Sequence, residues 1–223
     1  MTDRTTRVLV VGRSARALTE VVALLRAQGY PANATNQFDR VLDDYDPADV
    51  DLVIFGGFVP PALREHLEAE LGRRHPGIRC VGGLGGVAPL LVAQVEELTR
   101  GAALGVRHDE AEHAVRVTTT EPAHVTVTVL WGVPVPPDPI PHVVAVADDD
   151  LPAGAHAFAL PADTPAHGAF ARVQIGDRVS VLRLGPAPRP APGANGPGAA
   201  ALPDPAPVTT RLPWHLSVGA TPF

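Results

Sequence analysis

From Arg7 onward, short uniformly apolar runs alternate with longer stretches in which apolar residues recur every three or four positions. Arg7-Val8-Leu9-Val10-Val11-Gly12 is apolar after its first residue and ends in glycine, the pattern of a parallel strand buried on both faces. Leu18, Val21, Val22 and Leu25 follow at i, i+3, i+4 and i+7, one face of a helix. Ser14 stands where an N-cap belongs, and Gly29 where the helix must stop. Residues 32–35 predict a short second strand, and Phe38, Val41, Leu42 and Tyr45 a second amphipathic helix. Asp51-Leu52-Val53-Ile54-Phe55-Gly56 is a third apolar run ending in glycine. Pro60 and Pro61 suit the first turn of a third helix, with Leu63, Leu67 and Leu71 as its stripe. Residues 78–82 form a fourth strand; Pro89 opens a fourth helix carrying Leu91, Val92, Val95 and Leu98, closed by Gly101. Four strand–helix units in alternation predict a parallel sheet with helices on both faces. Right-handed crossovers favour the strand order 2-1-3-4.

After Gly101 the helical period is lost. Residues 102–113 read as a charged joint, and two-residue alternation then takes over. Val115, Val117 and Thr119 alternate with Arg116 and Thr118, and Val125, Val127 and Val129 with Thr126 and Thr128. Further strand-like runs cover 142–147, 156–160, 170–175 and 178–184, with Gly176-Asp177 as a type II′ hairpin turn between the last two. Short strands at this density predict a small antiparallel sandwich or barrel. The proline-rich stretch 133–141 reads as an ordered edge connection. The expected organisation is therefore an α/β domain over 1–101, a joint over 102–113, a β-sandwich domain over 114–185, and a Pro/Ala/Gly-rich linker and tail over 186–223. The linker up to Pro207 is expected to be extended and unpacked, with some apolar content returning around Trp214. Either 115–119 completes the parallel sheet as a fifth strand, or the α/β domain ends at four.

Composition narrows the functional classes. The chain has 223 residues, 45% of them hydrophobic but only 4% aromatic, so its core is built from Val, Leu and Ala. The formal net charge is -6 and no basic block is present, which argues against a nucleic-acid surface. The start of the chain lacks a signal-peptide core, and nowhere is there a run of about 18 apolar residues, so a cytoplasmic protein away from membranes is expected. Cys80 is the only cysteine; lying in an apolar strand, it reads as an inert thiol. All cationic side chains apart from histidine are arginines, because the chain contains no lysine.

The element order and spacing of residues 7–101, together with Gly56-Gly57-Phe58-Val59-Pro60 after the third strand, resemble the receiver domain of response regulators, a flavodoxin-like fold. In that family an acceptor aspartate ends the third strand and is followed by two residues and a Met-Pro turn; here the position is Gly56. An acidic pair after the first strand holds Mg²⁺; here it is Gly12 and Arg13. A hydroxyl residue ends the fourth strand; here it is Gly82. A lysine follows the fifth strand, and this chain has none. The resemblance therefore implies a pseudo-receiver. Without the carboxylate there is no nucleophile, without the acids no hard oxygen ligands for the ion, and without lysine no clamp for the developing phosphoryl charge.

Other chemistry is thin. Gly82-Gly83-Leu84-Gly85-Gly86 lies between the fourth strand and fourth helix, at the carboxyl edge where open α/β sheets bind ligands. With Gly12, Arg13, Gly56, Gly57, Gly83 and Gly85 it forms the candidate cofactor-binding set, Arg13 and Arg16 being placed to meet a phosphate at a helix N-terminus. The alternative for these glycines is simply tight turns. The full G-x-G-x-x-G signature is missing, since Ser14 and Ala17 occupy its later positions. His108-Asp109-Glu110-Ala111-Glu112-His113 has the residue types of a metal site without its spacing, and reads as an exposed charged joint. No serine lies in a G-x-S-x-G elbow. Two functions are expected from different classes: a non-catalytic regulatory or scaffold protein with a protein partner, no cofactor and no metal, or a nucleotide- or cofactor-binding Rossmann-like protein using the glycine loops. Homodimerisation is open under both.

Overall fold

The computed structural model of the chain describes residues 6–56, 59–84, 86–135, 139–186 and 206–214. These divide into two compact units, one taking in 6–92 and 206–214, the other 93–135 and 139–186.

The first unit contains β1 (Val8–Val11), α1 (Ala15–Ala27), β2 (Ala32–Thr35), α2 (Val41–Asp44), β3 (Leu52–Phe55), α3 (Pro61–Arg74) and β4 (Arg79–Gly82), and the start of α4 (Ala88–Arg100). The sheet is parallel with order β2-β1-β3-β4, as the pattern predicts. Every residue of β1, β2 and β3 is buried; β1 and β3 accordingly read as continuous apolar runs, while β2 also buries Asn33 and Thr35. α1 buries Leu18, Val21, Val22 and Leu25, and the Ser14 hydroxyl caps it by accepting the Ala17 N–H at 3.1 Å. α3 buries Leu67 and Leu71. The second helix is shorter than expected. Residues 38–40 form a 3₁₀ turn and α2 only one turn more, because Asp46 is already extended and caps a new 3₁₀ turn beginning at Pro47.

Val115–Thr119 does not complete this sheet. It belongs to an antiparallel sheet of the second unit, where the side-chain alternation of 114–119 buries one face. What extends the parallel sheet at the β2 side is the C-terminal segment 206–214, which forms an antiparallel bridge between Thr209 and Thr35. The expectation that the tail is unpacked up to Pro207 therefore fails at its last residues, for Ala206 and Val208 bond Asn36. Residues 187–205 lie outside the described residues.

The second unit comprises the end of α4, then β5 (Val106–Asp109), β6 (Ala114–Thr119), β7 (Ala123–Val133), β8 (Ile140–Leu151), β9 (Gly154–Ala159), β10 (Ala169–Ile175) and β11 (Arg178–Leu184). Two antiparallel sheets result, β11-β10-β7-β8 and β5-β6-β9. Val115 and Val117 from one and Val125, Val127, Val129 and Val173 from the other contribute to a single apolar cluster. The stretch 102–113 is more than a joint, since it carries β5, paired with β6 from Val106↔Val117 to Asp109↔Ala114. Of the connection 133–141, residues 136–138 lie outside the described residues, while Val133 and Ile140 face each other in the β7–β8 ladder. That ladder has a bulge at Val146, where Val127↔Ala147 is followed by Thr128↔Ala145.

On β7, His124 lies between two carboxylates of β8, with Nδ1 2.9 Å from Asp150 and Nε2 2.8 Å from Asp148. Hydrogen bonding to Asp150 and Asp148 raises its pKa above the ordinary value. This stabilisation is fully present below the unfolded value of 6.5 and is lost as pH rises through the higher folded value. An NMR titration of His124 is expected to give a midpoint above 6.5, moved back towards it by Asp150→Asn. A wild-type midpoint at the ordinary value would contradict this geometry.

Candidate functional site

The sequence-predicted site lies at the carboxyl edge of the parallel sheet, where β1, β3 and β4 end side by side. The structure brings Gly12, Gly56 and Gly83 together there and gives each an internal role. The Gly12 N–H donates to Thr35 O at 3.1 Å, the Gly56 N–H to Val11 O at 2.8 Å, and the Gly83 N–H to Phe55 O at 2.7 Å. These bonds continue the sheet, so the three N–H groups are not aimed at an external anion. Space is limited as well. A Cβ on Gly56 would stand 3.4 Å from Gly12 Cα, and one on Gly83 would stand 2.7 Å from Leu91 Cδ2 and 3.2 Å from Phe55 O. At Gly83, close approach of α4 to the strand end accounts for glycine on packing grounds alone. Gly57 and Gly85 lie outside the described residues. Arg13 is half-buried and Arg16 exposed at the start of α1, whose Ala17 N–H is already taken by Ser14.

One residue at this edge was not singled out by sequence reasoning. Arg64, in the first turn of α3, reaches back over the strand ends. Its guanidinium carbon lies 5.8 Å from the centre of the Phe55 ring, and its Nη1 would be 2.7 Å from a Cβ at Gly82. Glu68, one turn along the helix, holds it at 2.7 Å. An i, i+4 Arg–Glu pair reads in sequence as a solvated helix face, and only the crossover from β3 into α3 brings it to the edge. The result is a cation lying against the end of β4 and over the end of β3.

Cys80, on β4, is half-buried, and burial pushes its thiol up to about 11, with Glu68 adding to the shift. A thiol so protonated is a poor nucleophile.

The charged stretch 108–113 is organised by arginine. Asp109 accepts from Arg116 Nε at 2.6 Å, and Glu112 also pairs with Arg116. Arg116 holds the Asp109 carboxyl below its ordinary pKa. Among the described residues no group of three or more His, Cys, Asp or Glu side chains is placed to hold a metal ion.

The second unit has a cleft of about 450 Å³, bordered by Gly105, Thr118, Thr119, Thr120, Glu121 and Arg178. It has one acidic and one basic side chain at its polar rim besides Asp177 in the adjacent turn. The sequence offered no signal for it, because it is formed where the residues before β5 meet the β6–β7 turn and the β10–β11 turn. No described helix is long and apolar enough to cross a membrane. No protein-family model matches the chain, and no curated protein matches it.

Proposed function

We propose that this chain is a non-catalytic regulatory or scaffold protein, in which a receiver-like α/β unit unable to accept a phosphoryl group is joined to a sandwich-like β unit that binds a protein partner. The observation that carries the reading is the state of the carboxyl edge. The acceptor position is Gly56, its N–H and those of Gly12 and Gly83 are used by the sheet, and the Arg64 side chain lies against Gly82. Phosphoryl transfer at this edge would need a carboxylate nucleophile and hard ligands for Mg²⁺, and the strand ends offer neither. Support for a protein partner comes from one end of the β7–β8 ladder, where the paired Val133 and Ile140 are 39% and 47% exposed. Apolar side chains grouped at one end of a hairpin favour a protein-binding surface.

Acetyl phosphate with Mg²⁺ is expected to leave the intact mass of the protein unchanged. A phosphoryl adduct on residues 7–101 would overturn the reading. The rival class, a nucleotide-binding protein, is tested by thermal shift against a nucleotide panel. A binder present about 100-fold above its dissociation constant would stabilise the fold by about 2.7 kcal/mol, and such a shift would favour the rival.

A further inference from the structure

The edge of β2 is equipped with side chains that recognise an extended polypeptide. Asn33 is 1% exposed, and its side-chain amide meets both backbone groups of one residue: Oδ1 accepts the Leu212 N–H at 2.9 Å and Nδ2 donates to Leu212 O at 3.1 Å. Asn36 does the same across two residues, with Oδ1 accepting the Val208 N–H and Nδ2 donating to Ala206 O, both at 2.8 Å. Between them, the Thr210 N–H donates to Ala34 O at 2.9 Å, and the Tyr45 hydroxyl donates to Thr210 O at 2.7 Å. The Asn36 N–H donates to Val208 O at 3.0 Å. Every second residue of the segment is thus held through its backbone, a readout independent of side-chain identity.

Side chains supply the selectivity. The hydroxyls of Thr35 and Thr209 meet at 3.1 Å, and the Ala34 N–H donates to the Thr210 hydroxyl at 2.8 Å. Arg211 pairs with Asp44, whose side chain is 5% exposed. The groove therefore reads two successive hydroxyl side chains followed by a basic one.

The groove is buried but its occupant is not. Among residues 206–214 none is buried; Ala206, Pro207, Arg211, Leu212 and Pro213 are exposed and the others half-buried. Releasing residues 206–213 would expose less apolar surface than releasing a strand of the sheet interior, and Trp214, half-buried against the core cluster that includes Leu9, Val41 and Tyr45, is the main apolar contact to be lost. Asn33, Asn36 and Tyr45 sit at an edge, where water can reach them once the segment leaves.

We propose that the β2 edge is a peptide-recognition groove for extended hydroxyl-hydroxyl-basic segments of a partner protein, and that residues 206–214 occupy it in cis as a competitor. The proposal is independent of the strand-end glycines. A tethered segment competes at an effective concentration on the order of millimolar, so a partner segment must outbid it or arrive after its release.

The test uses the full chain and a synthetic peptide of the sequence PAPVTTRLPW, that of residues 205–214. In hydrogen exchange on the wild-type protein, the amides of Val208, Thr210 and Leu212 are expected to exchange at least a hundredfold faster than those of Val10 and Ile54. Millimolar peptide should accelerate them further, while a peptide with glutamate in place of its arginine should not. In a chain carrying Thr210→Pro and Leu212→Pro, which removes two cis N–H donors and the Thr210 hydroxyl and leaves the residues of the groove unchanged, labelled peptide should bind at least tenfold more tightly than to wild type. Adding Asn36→Ala should remove that gain. Tail amides as protected as the sheet core, a double-proline chain that fails to fold, or one that folds and does not bind the peptide would each overturn the proposal. Concentration-dependent dimerisation of the wild type through this segment would overturn the cis assignment and name a second copy as the occupant.

Discussion

Glu96→Ala is expected to destabilise the second unit by about 3 kcal/mol. Glu96 lies on α4 with its side chain 3% exposed, and Arg172 on β10 meets it with two bonds, Nε to Oε2 at 2.8 Å and Nη2 to Oε1 at 3.1 Å. Arg100, one turn along the helix, stands 3.4 Å from the same carboxylate. The neighbouring Glu97 accepts the Val181 N–H at 3.0 Å, so two consecutive carboxylates fasten the end of α4 to β10 and β11. Removing Glu96 leaves the Arg172 guanidinium, 19% exposed, with Gln174 as its one remaining hydrogen-bond partner among the described residues. The cost is that of an uncompensated buried cation, and the pair itself contributes much less, because desolvation offsets most of its attraction. The midpoint of thermal unfolding should therefore fall by on the order of 10 °C. A Glu96→Leu/Arg172→Met double variant should recover most of that loss, since it leaves no charge behind. If the single and double variants were equally destabilised, the penalty would come from packing and not from the orphaned arginine.

What the sequence discloses and what it hides follow from how each contact is made. β1 and β3 are legible because burial on both faces leaves no room for polar residues, and α1 because its four buried positions repeat at helical spacing. β5 is hidden because Val106-Arg107-His108-Asp109 has one exposed and three half-buried positions, and because only Val106 of the four adds an apolar side chain to the core cluster. Residues 206–214 are hidden for a stronger reason. They are bound through backbone groups, and backbone groups leave no periodic trace in sequence. Asn33 and Asn36 are visible only as two amides in and beside a short strand; their burial could not be read without the partner they hold. At the candidate site, the glycines at 12, 56 and 83 are legible as strand ends, but glycine signals both ligand approach and close internal packing. The distances to Leu91 and to the Phe55 carbonyl supply the internal reason at Gly83. Arg64 needed the three-dimensional crossover to join the edge at all.

The same ambiguity yields a contrast within the second unit. Gly105 has φ +74 and Gly176 has φ +59, so both backbones sit in the left-handed region. Only their surroundings differ. A Cβ at Gly105 would stand 2.5 Å from the Thr118 carbonyl oxygen and 3.3 Å from Thr118 Cβ, whereas one at Gly176 would meet nothing within 4 Å. The close approach at Gly105 is built into the sheet, because its carbonyl accepts the Thr118 N–H at 2.9 Å, next to the Val106↔Val117 pair that begins β5. The obstructing atom is backbone and cannot rotate away. Gly105→Ala therefore adds steric strain of about 1–3 kcal/mol to a left-handed backbone penalty of about 1 kcal/mol, for an expected loss of about 2–4 kcal/mol. Gly176→Asn carries only the conformational part, reduced because asparagine tolerates this region, and should cost less than about 1 kcal/mol. Urea unfolding of the two variants beside the wild type measures the difference as a shift in midpoint at constant slope. Because Gly105 and Thr118 both border the 450 Å³ cleft, Gly105→Ala should also widen that border by forcing β5 away from β6. Equal tolerance at the two positions would mean that Thr118 yields freely, and that the start of β5 is far looser than a paired strand.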